Sequence, residues 1–206
     1  VSLCTGKGAF AIKDIAKAAG LNNPHIGDGG AVVMDFFNNV VIDKHVIAGA
    51  LAEAVVAMLL RRGTYVEIYM VDGYYVQKDA VGQITTQHTA ILSREPVIVD
   101  SLAEVVKSHD IVKVMPVAKD ENEKQKIITA FAPFADTLSL QWGIHPTALP
   151  LQFGIITAQN ISKKHAALTI AKHTGIPLEQ TLGVGDGMSD WNFMELCGFA
   201  GIMGNA

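Results

Sequence analysis

Two acidic residues near the end of the chain, Asp186 and Asp190, lie in the segment Gly183-Val-Gly-Asp-Gly-Met-Ser-Asp190. Asp186 follows an apolar run, residues 181–184, that is predicted as a strand, and Asp190 is predicted to begin the next helix. In open α/β sheets, ligands bind beyond the carboxyl ends of the strands. Two carboxylates converging at about 4 Å repel by roughly 1–4 kcal/mol, so the pair requires a cation. Oxygen ligands without a nearby His or Cys indicate Mg²⁺.

The same loop could instead have a purely structural role or belong to a different kind of site. Each Asp alone fits an ordinary N-cap or an Asp-Gly turn, whereas the pair between glycines favours a metal site. A calcium-binding EF-hand is excluded, because Met188 and Trp191 occupy a ligand and the glycine position, and Cys197 stands where Glu is required. The glycine spacing does not match the dinucleotide-binding fingerprint, and no P-loop spacing occurs.

Two further positions suit a phosphate group. Thr5-Gly6 follows a strand end, so the Thr5 hydroxyl and the N–H groups of the turn can hold a phosphate oxygen, although many Thr-Gly pairs only make turns. Lys163 opens a helix after the predicted N-cap Ser162, where the helix dipole disfavours a cation. This position indicates an anionic ligand, with a solvated Lys beside Lys164 as the alternative.

Composition limits the possible partners. The 206 residues carry a formal net charge of −4 and half are apolar, which is typical of a folded globular chain. Lys and Arg residues are scattered, so no nucleic-acid partner is predicted. The longest apolar stretch, residues 48–60, is interrupted by Glu53 and is too short to span a bilayer, so no membrane partner is predicted and a cytoplasmic location is expected. Cys4 and Cys197 are predicted to be free thiols, and the seven dispersed histidines are interpreted as packing or surface residues.

Apolar runs bounded by Gly or Pro alternate with helix-period segments, which predicts an α/β fold. Asp72-Gly73 predicts a hairpin in the middle of the chain, followed by a less regular stretch. We therefore expect a parallel parent sheet built by residues 1–36 and 154–206, with a smaller α+β domain, residues 37–153, inserted into it. The first predicted strand lacks its first half, and no element follows the last strand to cover it, so the sequence is expected to be part of a longer protein. The predicted helices cover 10–19, 45–62, 120–131, 163–174 and 190–196, and the predicted strands cover 1–5, 31–34, 64–71, 74–77, 111–117, 136–142, 151–156, 181–184 and 199–203.

Four segments together resemble the motifs of a known family. They are similar to the second, third and fourth motifs of the haloacid dehalogenase-like (HAD) hydrolases, with the Cof-type group (subfamily IIB) as the best match. The resemblance implies a Rossmann-like core with an inserted α+β cap of the C2B type. It also implies Mg²⁺-dependent hydrolysis of small phosphorylated metabolites, sugar phosphates among them. The segments are Leu3-Cys-Thr-Gly-Lys7, Ile161-Ser-Lys-Lys-His-Ala166, Gly183 to Asp190, and Met203-Gly-Asn-Ala206.

The resemblance assigns roles to the matching residues. Thr5, with Gly6, binds the transferring phosphate, and Lys163 neutralises it. Asp186 ligates Mg²⁺, and Asp190 is a further ligand or a support for the metal site. The sequence departs from the family pattern at three positions: Lys7 replaces Arg, Lys164 replaces Gly, and Ser189, a supporting position beside the metal, replaces Asn.

The first motif of the family, Asp-x-Asp-Gly-Thr, does not occur in the sequence. Its first Asp attacks phosphorus to form an aspartyl-phosphate, so the nucleophile is expected upstream of Val1 and the 206 residues alone are expected to be inactive. Two alternatives remain open. One is a non-catalytic module that binds a phosphate ligand or a protein, and the other is a phosphomutase of the same family.

Overall fold

The computed structural model describes residues 1–204 and has an α/β fold. No helix in that part of the chain is long and apolar enough to cross a membrane. The helices are α1 (Ala9–Ala18), α2 (Gly49–Arg61), α3 (Gln83–Leu92), α4 (Leu102–Ser108), α5 (Glu121–Phe131), α6 (Lys163–Thr174) and α7 (Met188–Met194). The strands are β1 (His25–Gly27), β2 (Val32–Asp35), β3 (Val40–Lys44), β4 (Tyr65–Tyr69), β5 (Tyr74–Gln77), β6 (Val97–Val99), β7 (Lys113–Ala118), β8 (Leu138–Ile144), β9 (Gln152–Ala158), β10 (Leu182–Gly185) and β11 (Phe199–Ile202).

The chain forms two compact units: residues 1–44 together with the chain from Asn160 onward, and His45–Gln159. The second unit is inserted into the first. Its limits fall later in the sequence than the expected 37 and 153. The reason is strand pairing, since β3 pairs with β2 of the first unit, whereas β9 pairs with β7 and β8 of the inserted unit.

The first unit contains two small sheets. Strands β1, β2 and β3 form an antiparallel sheet, and Cys4 makes a parallel bridge to Ile26 at the β1 edge. Strands β10 and β11 form a separate parallel pair. In residues 1–204 the expected parent sheet is therefore present as two pieces, and the predicted strand at residues 1–5 is reduced to the bridge at Cys4. Apolar side chains of β1, β2, α6 and α7 pack into one buried cluster.

The inserted unit is built on one six-stranded sheet with the order β6-β5-β4-β7-β9-β8. Only β5 and β6 run parallel, and the other neighbours are antiparallel. Alternate residues of β4, such as Val66 and Ile68, point into an apolar core shared with α2, α4 and α5. Helix α2 contributes Val55, Val56 and Leu59, whose spacing places them on one helical face.

Several elements were not predicted. The less regular stretch after β5 contains α3, β6 and α4. Helix α3 is rich in Thr and Gln and has little apolar periodicity, and its β-branched Thr residues lower the helix propensity. The segment is therefore helical because Thr85 and His88 pack in the interior, which the sequence does not reveal. Strand β3 was also missed, because its side chains are largely exposed and only its pairing with β2 identifies it.

Candidate active site

Lys163 is held by the loop that follows β10. Its ammonium nitrogen lies 2.6 Å from Oδ1 of Asp190 and 3.3 Å from Oγ of Ser189. The side chains of Lys163 and Asp190 are 13% and 9% exposed. The alternative of a solvated lysine is therefore wrong. The charge-assisted hydrogen bond fixes the cation at the start of α6, at the N-cap that Ser162 provides by accepting from the N–H of His165.

Both oxygens of Asp190 are used inside the protein. Oδ2 accepts hydrogen bonds from the N–H groups of Asp186 (3.2 Å) and Gly187 (3.1 Å), while Oδ1 accepts from Lys163. Asp190 is the third residue of α7, which begins at Met188 and not at residue 190 as predicted. A carboxylate with these partners orients the loop and the lysine.

Asp186 differs from Asp190 in exposure and partners. Its side chain is exposed, and in the part of the chain that the structure describes its carboxylate has no hydrogen bond or ion pair. An open carboxylate at the end of a strand suits a hard cation that keeps several waters and takes one or two protein carboxylates. Asp186 is therefore the carboxylate that fits Mg²⁺, because both oxygens of Asp190 already accept hydrogen bonds from the protein.

The Thr5 turn is held by hydrogen bonds to β1 and to the loop after it. Thr5 donates its N–H to the carbonyl of Ile26 at 3.1 Å, and its own carbonyl accepts from the N–H of Gly29 at 3.1 Å. The hydroxyl of Thr5 accepts from the N–H of Lys7 at 3.2 Å, which closes the turn around Gly6. Thr5 and Gly6 are both partly buried.

Asp28 and Gly30 support this region, and sequence analysis did not identify them as site residues. Asp28 is fully buried with a φ of 53°, and its Oδ2 accepts the first N–H of α1, that of Ala9, at 3.0 Å. Gly30 has a φ of 111°, and a Cβ there would collide with the carbonyl of Ser162. The loop after β1 therefore packs against the start of α6. The sequence signal that could have identified these residues is Asp-Gly-Gly, residues 28–30, directly after β1.

His25 holds the segment that leads to Thr5. Its Nδ1 accepts the N–H of Leu3 at 3.0 Å, and its Nε2 lies 3.1 Å from the carbonyl of Leu21, which requires the proton on Nε2. The ring is 1% exposed and stacks on Phe36 with centroids 5.4 Å apart. Burial lowers the pKa of His25, and the Leu21 carbonyl opposes that shift. His25 is thus a neutral packing residue, as predicted, that also anchors the Thr5 segment.

The pKa of Cys4 depends on its burial and on two charged residues of the candidate site. Burial raises the pKa of the Cys4 thiol to about 12, with Lys163 lowering it and Asp190 raising it. The residue before Thr5 therefore lies within electrostatic reach of the Lys163–Asp190 pair. The structure brings together Lys163, Ser189 and Asp190, with Asp186 in the same loop. Thr5 is bonded to the loop after β1, which packs against Ser162 at the start of α6. Asn205 and Ala206, the end of the fourth family motif, lie outside the described residues.

The family model of the haloacid dehalogenase-like hydrolases matches residues 1–206. The chain belongs to this HAD family. The match agrees with the motif resemblance and covers both the first unit and the inserted one. The predicted α/β class is confirmed by the elements of the structure and by the solved structures that resemble it.

One relative in sequence and two solved structures illustrate what the chain is similar to. Phosphatase YwpJ of Bacillus subtilis (strain 168) is 24% identical over 226 residues, covering 100% of this chain and 78% of the relative. The structure of a sugar phosphatase of HAD subclass IIB is 20% identical with a TM-score of 0.78, covering 100% of this chain and 74% of that one. A structure from Thermotoga maritima is 18% identical with a TM-score of 0.83, again covering 100% and 74%.

Two residues that depart from the HAD pattern, Lys164 and Ser189, contact other side chains in the structure. Lys164 lies 3.1 Å from Oε1 of Glu195, with both side chains about two-fifths exposed at 42% and 43%, so it joins α6 to α7 at the surface. Ser189 contributes its hydroxyl to the Lys163 contact. In this HAD chain the serine therefore has a partner in the site.

Proposed function

We propose that the intact protein is a Mg²⁺-dependent phosphatase that hydrolyses small phosphate monoesters, with sugar phosphates among its substrates. The observation that carries the proposal is the part-buried Lys163 ammonium, fixed by Asp190 beside the open carboxylate of Asp186. A fixed positive charge next to a free oxygen ligand suits a substrate with a phosphate group. The name of the Bacillus relative, a phosphatase, and that of the subclass IIB sugar phosphatase agree with this activity.

The chain's own residues bind and orient the phosphate. The Thr5 hydroxyl, which accepts from Lys7, can still donate its proton to a phosphate oxygen, and the turn at Gly6 adds backbone donors. Lys163 offsets the negative charge that develops as the ester bond breaks. Asp190 keeps Lys163 from turning into solvent. Mg²⁺, when bound by Asp186, supplies charge stabilisation and orients the phosphate.

The proposed reaction also requires a nucleophile. In this mechanism the first Asp of an Asp-x-Asp motif upstream of Val1 attacks phosphorus and the ester P–O bond breaks. The second Asp of that motif gives its proton to the leaving oxygen, and water then hydrolyses the aspartyl-phosphate. The inserted unit, His45–Gln159, acts as the cap that selects the leaving group. We place this chemistry in the cytoplasm, where phosphorylated metabolites and Mg²⁺ are both available.

The proposal is tested with the protein that includes its upstream residues. Phosphate release from a panel of sugar phosphates and other monoesters is measured with Mg²⁺ and with EDTA. Wild type should turn over at least one substrate, and Asp186→Asn should lower kcat/KM by on the order of 100-fold while unfolding at the same urea concentration as wild type. Asp72→Asn, an exposed carboxylate of the β4–β5 hairpin, is the matched control and should be unchanged.

The absence of an Asp-x-Asp sequence favours one other candidate, a non-catalytic phosphate-binding module. That protein would bind inorganic phosphate at Thr5 and Lys163 but release none from any ester. A phosphomutase is distinguished by its product, because it transfers the phosphoryl group to a sugar hydroxyl. Lack of any turnover in the intact protein, with or without an acceptor sugar, would reject the enzymatic proposals.

A further inference from the structure

The inserted unit contains a cavity of about 730 Å³ lined only by residues between Leu60 and Leu151. It lies where β4 and β9 begin and β7 ends, since Thr64, Lys119 and Leu151 all line it. The chain leaves the unit after the other end of β9, seven residues or roughly 20 Å along the strand. The cavity is of the size that encloses a small organic ligand.

A second hollow of about 420 Å³ adjoins the first and shares Thr64 and Lys119 with it. Three cations line this hollow: Arg62, Lys119 and Lys126. Within residues 1–204 none of their side chains forms an ion pair with a carboxylate. Cations that converge on a concave surface without partners attract an anionic group.

Two carboxylates also line the hollow, and both have structural partners. Asp120 accepts the N–H of Glu123 at 2.8 Å as the N-cap of α5, and Glu123 accepts the N–H of Lys119 at 2.8 Å. These hydrogen bonds form the capping arrangement of a helix start. The five ionic groups sum to one positive charge, so an anion remains favoured over a cation.

Besides Lys119 and Asp79, whose carboxylate accepts from the side-chain amide of Gln77 at 2.9 Å, the larger cavity offers uncharged hydrogen-bonding groups. Gln83 and Gln87 are one helical turn apart on α3, both line the cavity, and neither side-chain amide has a partner in the described chain. Thr64 is 6% exposed and stands at the junction of the two hollows. Amide groups and a hydroxyl donate to and accept from ligand hydroxyls.

We propose that the inserted unit holds a second binding site, for a small organic phosphate that carries hydroxyl groups. The phosphate lies among Arg62, Lys119 and Lys126, and the hydroxylated part extends past Thr64 toward Gln83 and Gln87. This site is separate from the residues of the candidate active site, all of which belong to the first unit. Ligand binding here requires neither Mg²⁺ nor turnover.

The test is a residue-resolved NMR titration of the whole chain in EDTA, which removes Mg²⁺ from the Asp186 loop. The probes are glucose 6-phosphate, inorganic phosphate and glucose. Glucose 6-phosphate should shift the amide signals of Thr64, Gln83 and Lys119 in a saturable manner and bind more tightly than either of the other two probes. Arg62→Gln should weaken that binding on the order of tenfold.

Arg61→Gln is the matched control, because Arg61 is the last residue of α2, directly before the C-cap Arg62, but does not line either hollow. It should bind as wild type does. The pair Gln83→Ala and Gln87→Ala should remove the preference for glucose 6-phosphate over inorganic phosphate. The proposal is overturned by shifts confined to Thr5 and Lys163, by no saturable shifts, or by equal effects of the Arg61 and Arg62 changes. None of these results bears on the phosphatase activity, which is measured separately.

Discussion

At the scale of single residues, Asp190 is the centre of the candidate site. Its two oxygens connect Lys163, which is 27 positions earlier, to the backbone of the loop at Asp186 and Gly187. Removing its charge leaves the part-buried ammonium of Lys163 without compensation. Breaking one partner of a buried ion pair costs more than the pair contributes, because the remaining charge is desolvated.

We predict that Asp190→Asn lowers the free energy of unfolding by about 3 kcal/mol. Urea denaturation followed by circular dichroism measures this change. The matched control is Glu195→Gln, which breaks the exposed pair with Lys164 and should cost less than about 1 kcal/mol. The double variant Asp190→Asn, Lys163→Met should regain part of the loss. Equal effects of the Asp190 and Glu195 changes would contradict the role assigned to Asp190.

A second residue-scale prediction concerns pH and His25. The unfolded imidazole takes up its proton near its ordinary pKa of about 6.5, whereas burial lowers the pKa in the folded protein. The unfolded state therefore binds more protons in the window just below that pH. The contribution of His25 to stability is complete above the window and decreases as the pH falls through it, by at most about 1.4 kcal/mol per pH unit.

Urea midpoints at pH 7.5 and pH 5.5 measure this dependence. His25→Asn is the comparison, because the amide oxygen of Asn still offers an acceptor to the N–H of Leu3 but does not titrate. Wild type should lose more stability than the variant between the two pH values, since the other titrating groups are common to both. A loss of the same size in both proteins would show that folding does not lower the pKa of His25.

At the scale of elements, the loop after β1 and the start of α6 are joined by a backbone contact. Gly30 lies against Ser162 so closely that no side chain fits between them, and its φ of 111° is disfavoured for other residues. This contact brings the loop that holds Thr5 to the helix start that carries Lys163. The element arrangement of the site thus depends on one glycine.

We predict that Gly30→Ala destabilises the first unit by about 3 kcal/mol, through steric overlap and backbone strain together. Gly175→Ala is the control, because Gly175 also has a positive φ of 71° but its Cβ would meet nothing within 4 Å. The control should cost about 1 kcal/mol. Thermal unfolding of both variants provides the comparison, and a Gly30 variant as stable as the control would refute the proposed close approach.

At the scale of the whole molecule, the two units have separate cores. The core of the inserted unit is made by β4, β7, β9 and the helices on one face of the sheet, and that of the first unit by β1, β2, α6 and α7. A cavity made in one core should therefore act mainly on the unit that contains it. Stability is not uniform in chains built in this way.

Ile68→Ala removes a fully buried side chain from β4 and should cost the inserted unit about 2–5 kcal/mol. Ile144→Ala is the matched control, since Ile144 is 66% exposed at the end of β8, and should cost less than about 0.5 kcal/mol. Native-state hydrogen exchange resolves the effect by unit. Protection should fall in β4 and β7 and stay unchanged in α6, whereas an equal fall in both units would show that they unfold together.

The sequence alone determined the type of most elements and the family motifs. Helix α6 was predicted at its observed bounds, because Ser162, Gly175 and the pattern between them are local signals of a helix start and end. The loop between β10 and α7 was also predicted from adjacent residues, Asp186 with its flanking glycines. Such features depend on neighbours within a few positions, which a sequence displays directly.

Only the tertiary structure decided which residues share a contact. It assigned Asp190 to Lys163, placed Gly30 against Ser162, and gave β3 and β9 to different units from those expected. Helix α3 likewise depends on packing, since its own sequence has weak helical preference. These outcomes depend on contacts between residues that are far apart in the chain. A pattern of neighbouring residues does not show which distant residues will meet, so it cannot predict these contacts.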